Sequence, residues 1–404
     1  MPKAFGLDFG TTNSAVACAT EGGVETTPVH RSILYFERKA ATATGNDAID
    51  RYLAADEKGR LMQSLKSFLA SRLFTGTSVY GRQYSIEDLV AIFLRDLRKI
   101  AEQKFGSFEG TIVVGRPVRY SNANNEADND FALDRVRRAL EKAGIGPVEF
   151  EYEPVAAAYF YASRLDHDEL LFIGDFGGGT SDFSLLRVGP RERSILGTEG
   201  VALAGDAFDS RMVRHLVSPR LGQGSEYRSL DKILPMPIWV YSDLERWHYL
   251  SLLKSSDTIQ MLRSIRHNSF QPEQLDALLH VIQDDLGFYL HRSIQATKSA
   301  LSSENAGFFQ FNDGVVKIEA GLTRSQFEEW IEEELRMIRG CVERLLAHSG
   351  VSPKDVDHVF LTGGSSLVPA VRLIFESIFG AGKLTGGSEF TSVAQGLALR
   401  ALQQ

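Results

Sequence analysis

One pattern occurs twice in this chain, 167 positions apart, and it limits the folds that the chain can adopt. Residues 5–18 read FGLDFGTTNSAVAC, and residues 172–188 read FIGDFGGGTSDFSLLRV. Each copy has a short apolar strand, then Asp-Phe-Gly, then small residues, then a second strand. The spacing is too long for a solenoid repeat, whose period is about 20–50 residues. The pattern therefore predicts two similar hairpins, each opening one of two related cores.

Composition excludes several classes of protein. The 404 residues are 43% hydrophobic and 24% charged, which is typical of about two soluble globular domains. The net charge of −8 argues against a nucleic-acid partner and against an anionic membrane surface. No apolar run approaches the ~20 residues of a membrane helix, and no signal-peptide pattern is present, so we expect a cytoplasmic protein. Cys18 and Cys341 are interpreted as small buried apolar residues.

Strands and helices alternate along the rest of the chain, which predicts α/β layers. The predicted strands include 111–115 and 170–173, and the predicted helices are 86–100, 272–303 and 323–345, the last opened by a capping box. A strand, a glycine turn and a helix that begins near Pro369 are predicted over 356–380. The segment 215–270 is interpreted as helical.

The first hairpin turn has the residues of an anion site. Gly10 allows backbone N–H groups to approach an anion, and Thr11, Thr12 and Asn13 add side-chain donors. Asp8 would repel a bare phosphate, but it fits a site in which a divalent cation lies between the two. The alternative is an ordinary polar turn with a buried aspartate.

The second hairpin has three consecutive glycines, Gly177, Gly178 and Gly179, where a plain turn needs one or two. Asp175 takes the place of Asp8, and Asp182 is a third carboxylate just beyond. Two such hairpins can clamp a triphosphate and its Mg²⁺ from opposite sides; the alternative is two unrelated turns. No P-loop or dinucleotide-binding glycine pattern is present.

A third turn, at Gly363, Gly364 and Ser365, joins a strand to a helix. A flat ligand such as a purine base can lie against bare backbone at such a junction. The alternative is a simple connection between two elements.

These motifs together resemble a known family. GLDFGTTNSAV, YEPVAAAYFYA (152–162), DFGGGTSDFSLL, LAGDAFDSRMV (203–213), GLTRSQFEEW (321–330) and TGGSSLVPAVRLIF resemble, in order, the nucleotide-binding domain of the 70-kDa heat-shock (DnaK-type) chaperones, in the actin-like ATPase superfamily. SLKSFLASRLF (64–74) and YSDLERWHYL (241–250) are most similar to its YegD-like branch.

The resemblance implies an α/β fold, the two-lobed actin-like ATPase fold of duplicated ribonuclease H-like domains. Lobe I would be residues 1–174 plus 363–404, with a IB insertion at about 37–106. Lobe II would be residues 175–362, with a IIB insertion at about 213–305. The chain ends at Gln404 with no counterpart of the family's C-terminal peptide-binding domain, so peptide capture is not expected.

The resemblance also implies roles for individual residues. Asp8 and Asp175 would hold Mg²⁺ through water, K⁺ being a further candidate ion. Lys66, Glu153, Asp175 and Asp182 would serve the attack of water on the γ-phosphate. The residues implied to bind ATP or ADP are Gly10, Thr11, Thr12, Asn13, Gly177, Gly178, Gly179, Thr180, Gly205, Gln295, Lys298, Ser302, Gly363, Gly364 and Ser365.

Three departures bear on function. VVGRPVRY (113–120) replaces the family's Val-Pro-Ala stretch, which casts doubt on coupling to a second domain. Gln295 and Ser299 stand where the family favours glutamate and arginine, so nucleotide binding could be weaker or less selective.

We interpret the chain as an ATPase acting as a switch for an unknown protein partner. The alternatives are an ATP-binding scaffold with little hydrolysis, a sugar or acetate kinase, and a bacterial-actin-like filament.

Overall fold

The computed structural model describes residues 3–38, 40–55, 59–163, 165–189, 193–386 and 391–403. They fall into two compact units. The first contains the chain up to Gly205 together with the chain from Leu335, and the second is Asp206–Glu334. The predicted boundaries of lobe I and lobe II stay a prediction.

The first part of the first unit alternates strands and helices. Its elements are β1 (Ala4–Phe9), β2 (Asn13–Thr20), β3 (Gly23–Thr26), β4 (His30–Arg31), β5 (Ile33–Phe36), β6 (Ala43–Thr44), α1 (Gly45–Ala54), β7 (Arg60–Gln63), β8 (Gly76–Val79), β9 (Arg82–Ser85), α2 (Ile86–Phe105), β10 (Thr111–Arg116), α3 (Glu126–Ala143), β11 (Glu149–Tyr152), α4 (Glu153–Ala162), β12 (Glu169–Phe176), β13 (Ser181–Val188) and β14 (Arg193–Val201).

The rest of the chain forms the second unit and then returns to the first. These elements are α5 (Gly205–Leu216), β15 (Glu226–Ser229), β16 (Lys232–Pro235), α6 (Ile238–Glu245), α7 (Ser256–His267), α8 (Pro272–Gln283), α9 (Gly287–Ser303), β17 (Ala306–Asn312), β18 (Lys317–Thr323), α10 (Arg324–Trp330), α11 (Glu332–Ser349), β19 (His358–Thr362), α12 (Pro369–Phe379), β20 (Leu384–Gly386) and α13 (Ser392–Leu402).

Two sheets of the first unit share one topology. Sheet 1 has the order β3-β2-β1-β10-β11, with β4 also paired to β2, and sheet 2 has the order β14-β13-β12-β19-β20. In each sheet the central strand pairs antiparallel with its hairpin partner and parallel with the strand on its other side. The predicted hairpin repeat is thus part of a repeat of whole sheets, and the predicted α/β fold class is confirmed.

Helices α13 and α4 pack together between the two sheets. Helix α13 lies on sheet 1, and a Cβ atom added at Gly6 of β1 would fall 2.2 Å from the carbonyl oxygen of Ala394. Helix α4 lies on sheet 2, where Ala157 and Val155 are buried with Leu171 of β12. A Cβ atom at Gly396 of α13 would fall 1.7 Å from the carbonyl oxygen of Ala156 in α4. These glycines therefore allow close contact across the core.

The capping box of Thr323 and Gln326 and the helix α2 are as predicted. Two predicted helices are each divided in two. The stretch 272–303 breaks after α8, where Asp285 adopts a left-handed φ of 54°, and the stretch 323–345 breaks at Ile331 between α10 and α11. The segment 215–270 is only partly helical, because it also contains the β15–β16 hairpin. Cys18 and Cys341 are free and buried, as predicted.

The second unit has its own core around its helices and two hairpins. Strand β17 pairs antiparallel with β18, and helix α9 packs against β17. No helix in the described part of the chain is both long enough and apolar enough to cross a membrane.

Candidate functional site

The first hairpin turn, Gly10–Thr12, is held in place by two serines. The Gly10 N–H donates to Ser14 Oγ at 3.2 Å, and Ser32 Oγ donates to the Gly10 carbonyl at 2.8 Å. The Ser32 N–H donates to the Thr12 carbonyl at 2.9 Å. Because these three hydrogen bonds hold the backbone of the turn, its remaining N–H donors have fixed positions. No sequence pattern pointed to Ser32, which lies 22 positions away from Gly10.

The second hairpin turn carries the three glycines. The Gly177 N–H closes the turn by donating to the Thr180 carbonyl at 2.9 Å. A Cβ atom at Gly179 would lie 2.5 Å from Ser121 Oγ and 3.6 Å from Thr11 Oγ1. The second turn therefore adjoins the first one through Thr11, as the duplicated pattern predicts.

Lys66 and Glu153 form a buried ion pair beside these turns. Lys66 lies in a short 3₁₀ helix, Leu65–Phe68, and Glu153 is the first residue of α4. Nζ of Lys66 donates to Oε1 of Glu153 at 2.6 Å, and only 7% and 6% of the two residues are exposed. Burial works to lower the pKa of Lys66, but the charges of Glu153 and Asp8 outweigh it and raise that pKa. The lysine therefore keeps its charge in this pocket.

Asp8 and Asp175 occupy matching positions near this ion pair. Asp8 lies opposite Ala15 in the β1–β2 hairpin, and Asp175 lies opposite Asp182 in the β12–β13 hairpin. Desolvation, followed by repulsion from Glu153, raises the pKa of Asp175 to about 8 and raises that of Asp8 well above its usual range. Repulsion from Asp175 adds to the raised pKa of Asp8.

Asp182 has a different environment, because its carboxylate is already hydrogen bonded. Its Oδ1 accepts the N–H groups of Val118 at 2.7 Å and of Arg119 at 3.2 Å. Burial and Glu153 raise the pKa of Asp182 to about 7, although the Thr180 hydroxyl and these amides oppose the shift. Asp182 therefore links the second hairpin by hydrogen bonds to the loop that follows β10.

Tyr120 is a polar residue of the site that sequence reasoning missed. It is 1% exposed, and the charges of Lys66 and Glu153 both affect its hydroxyl. Burial raises the pKa of its hydroxyl to about 12, so the group stays protonated. Its backbone N–H donates to Oδ1 of Asn129 at 3.0 Å, and its carbonyl accepts the N–H of Ala123 at 3.0 Å. A single tyrosine in a loop gives no sequence signal for such a position.

The third turn lies against the second hairpin. Strand β19 pairs parallel with β12, with Thr362 beside Asp175. Gly363 has a φ of 84°, and a Cβ atom there would fall 2.0 Å from the carbonyl oxygen of Phe176. Gly363, Gly364 and Ser365 thus follow the strand next to Asp175, and Gly205 approaches the same hairpin with its N–H 3.5 Å from the Gly177 carbonyl.

The remaining predicted residues lie in the second unit. Gln295, Lys298 and Ser302 are on α9 at helical spacing, and all three are partly exposed. Nζ of Lys298 lies 2.6 Å from Oδ1 of the buried Asp209 in α5. Their predicted contacts with adenosine stay a prediction.

The carboxylates fit a hydrated cation better than a directly bound one. Within the described residues no group of three or more His, Cys, Asp or Glu side chains could hold a metal ion. Burial and the charge of Glu153 raise the pKa values of Asp8 and Asp175, and a divalent cation would relieve this electrostatic cost. Mg²⁺ keeps several waters and needs only one or two carboxylates. Asp8 and Asp175 are therefore the residues that could hold it.

Comparison with known proteins identifies the family. The model of the Hsp70 protein family matches residues 54–225 and 287–402. The chain belongs to the Hsp70 protein family. The resemblance stated from the sequence motifs is therefore confirmed. Residues 226–286, which include β15 and β16, lie outside the match.

Two curated relatives cover almost the whole chain. The chaperone protein DnaK of Thermosipho melanesiensis is 24% identical over 408 residues, which covers 98% of this chain and 58% of the relative. The chaperone protein DnaK of Thermosipho africanus gives the same values. This Hsp70-family chain thus spans little more than half the length of these relatives.

Proposed function

We propose that this Hsp70-family chain binds ATP with Mg²⁺ between its two hairpin turns, hydrolyses it, and acts as a nucleotide-dependent switch for a protein partner. The observation that carries the proposal is the buried Lys66–Glu153 ion pair beside two aspartates on adjoining hairpins. A binding site for a neutral ligand would not need to concentrate this many charges. A cytoplasmic location is part of the same proposal.

Positioning and charge neutralisation dominate phosphoryl transfer to water, and the residues supply both. The turn backbones of Gly10 and of Gly177–Gly179, with the hydroxyls of Thr11 and Thr180, would hold the phosphates. Lys66 would donate to the γ-phosphate, and Glu153 would orient the attacking water. Mg²⁺, when bound, would neutralise phosphate charge.

The hydrogen bonds of Asp182 favour Asp175 as the acceptor of the proton from water. Asp182 accepts two backbone N–H groups and a hydroxyl, so its lone pairs are largely occupied. Asp175 has no such bonds among the described residues. Its role as the base would begin only once a bound cation had lowered its raised pKa.

Turnover measurements test the proposal. Lys66→Ala should lower kcat at least ~100-fold, as removal of a positioned charge typically does, while ATP still binds. Lys99→Ala, which removes an exposed lysine of α2, is the matched control and should leave kcat unchanged. Turnover by Lys66→Ala equal to that of the parent would contradict the proposal. Bound but uncleaved ATP in the parent would favour the scaffold alternative, and ADP released only with a sugar or acetate would favour a kinase.

A further inference from the structure

The segment that carries Lys66 has little regular structure to hold it. After its 3₁₀ helix, residues 69–75 lie outside helices and strands until β8 begins at Gly76. Ser64, before the helix, has a left-handed φ of 52°. A lysine on such a segment needs support from side chains elsewhere if its ammonium group is to keep a fixed position.

One arginine of α3 supplies much of this support. Nη1 of Arg135 donates to the carbonyls of Phe68 at 3.3 Å, Leu69 at 3.0 Å and Ser71 at 2.9 Å. Nη2 donates to the carbonyl of Phe74 at 3.1 Å. A single guanidinium group therefore gathers four carbonyl oxygens of the chain that directly follows Lys66.

The guanidinium group is itself fixed. Arg135 is 4% exposed, its guanidinium carbon lies 4.3 Å from the centre of the Phe131 ring, and Nε lies 3.3 Å from Oε1 of Glu87 in α2. An arginine fork held on two sides presents its donors in one geometry, which a flexible lysine ammonium cannot reproduce.

Further bonds link the same two parts of the chain. Nδ2 of Asn122 donates to the Ser67 carbonyl at 3.0 Å, and Nη2 of Arg72 donates to the Ala127 carbonyl at 3.2 Å. Arg72 is largely exposed, however, whereas Arg135 is buried. The contacts of Arg135 therefore carry most of the geometric constraint.

We propose that Arg135 is a positioning residue for catalysis, which sets the place of the Lys66 ammonium group by holding the carbonyls of residues 68–74. The expected loss of kcat rests on the proposed ATPase function. The expected change in the position of the Lys66 ammonium group does not. A displacement of about 1 Å at a reacting group can cost about 100-fold in rate.

A double-mutant cycle tests the kinetic consequence. Arg135→Lys should lower kcat at least ~10-fold with the Kd for ATP nearly unchanged, and Arg135→Ala should lower it further. In a Lys66→Ala background neither substitution should lower kcat again, because the group that Arg135 positions is gone. Arg138→Ala, an exposed arginine of the same helix paired with Asp134, is the control and should keep the parent kcat.

Chemical labelling of Lys66 tests the structural consequence without any turnover. Acetic anhydride should label Lys66 slowly in the parent and in Arg138→Ala, and several-fold faster in Arg135→Lys, with peptides quantified by mass spectrometry. If Arg135→Ala does not fold, Arg135→Lys decides the result. Equal labelling of parent and Arg135→Lys would overturn the inference, as would additive losses of kcat in the cycle. A parent that labels as expected but has no turnover would count against the proposed function alone.

Discussion

At the scale of single residues, the charged forms of the buried acids in the site are electrostatically unfavourable. Asp175 and Asp182 have pKa values of about 8 and about 7, because burial and Glu153 disfavour their charged forms. An aspartate in an unfolded chain has a pKa of about 3.9. At neutral pH these acids therefore lower the stability of the folded chain, and a bound cation would reduce that electrostatic cost.

This electrostatic cost predicts how the free energy of unfolding depends on pH. Between about pH 4 and pH 8 Asp175 and Asp182 bind more protons in the folded chain than in the unfolded chain, so their contribution to the free energy of unfolding falls as pH rises. Stability that is fully present below pH ~4 is lost as pH passes through the folded pKa values of about 7 and about 8. Asp175→Asn removes one of these acids. We expect the nucleotide-free variant to melt a few degrees above the parent at pH 8.5, with little difference at pH 5.

Thermal unfolding monitored by circular dichroism checks this expectation. Asp50→Asn, which changes an exposed aspartate of α1, is the control and should melt with the parent at both pH values. A parent and an Asp175→Asn variant with equal melting temperatures at pH 8.5 would mean that Asp175 is not desolvated.

At the scale of elements, the contact of α13 with α4 places Glu153. Glu153 begins α4, and a Cβ atom at Gly396 of α13 would overlap the carbonyl of Ala156 one turn later. We expect Gly396→Ala to lower the free energy of unfolding by about 1–3 kcal/mol through overpacking. Helix propensity alone would predict a gain of about 1 kcal/mol for the same change. The sign of the change in the free energy of unfolding therefore shows whether overpacking or helix propensity dominates.

Gly340→Ala in α11 is the matched control. A Cβ atom there would lie 3.6 Å from Nη1 of the flexible Arg344 side chain, which is an ordinary contact. Denaturant unfolding should show Gly340→Ala to be as stable as the parent or more stable. Destabilisation by both alanines, or by neither, would contradict the account of the α13–α4 contact.

The elements also show what the sequence could not predict. The hairpins and the β19 turn were predictable, because apolar strands and glycines mark them directly. The break at Asp285 was not, because the apolar spacing of α8 continues into α9 across the three-residue turn 284–286, where Asp285 adopts a left-handed φ. The supports at Ser32 and Arg135 were not predictable either, since each acts across a distance in sequence that leaves no local pattern.

At the scale of the whole molecule, two sheets of one topology each place an aspartate at the same hairpin position. The repeat in sequence extended over one hairpin, but the repeat in structure covers five strands in each sheet. The family match omits 226–286, where the exposed side chains of Leu230, Ile238 and Trp239 lie. The family resemblance in this segment was limited to YSDLERWHYL (241–250), which follows the β15–β16 hairpin, and the hairpin was missed.

The central claim is that the two adjoining hairpins hold a polyphosphate through a cation shared by Asp8 and Asp175. Calorimetric titration with ATP, with and without Mg²⁺, at pH 7 in two buffers of different ionisation enthalpy, tests it most directly. We predict that binding depends on Mg²⁺ and releases protons, because the cation forces the buried aspartates to ionise, and that Asp175→Asn reduces that release. Binding of equal affinity without Mg²⁺, with no proton released by the parent, would contradict the claim.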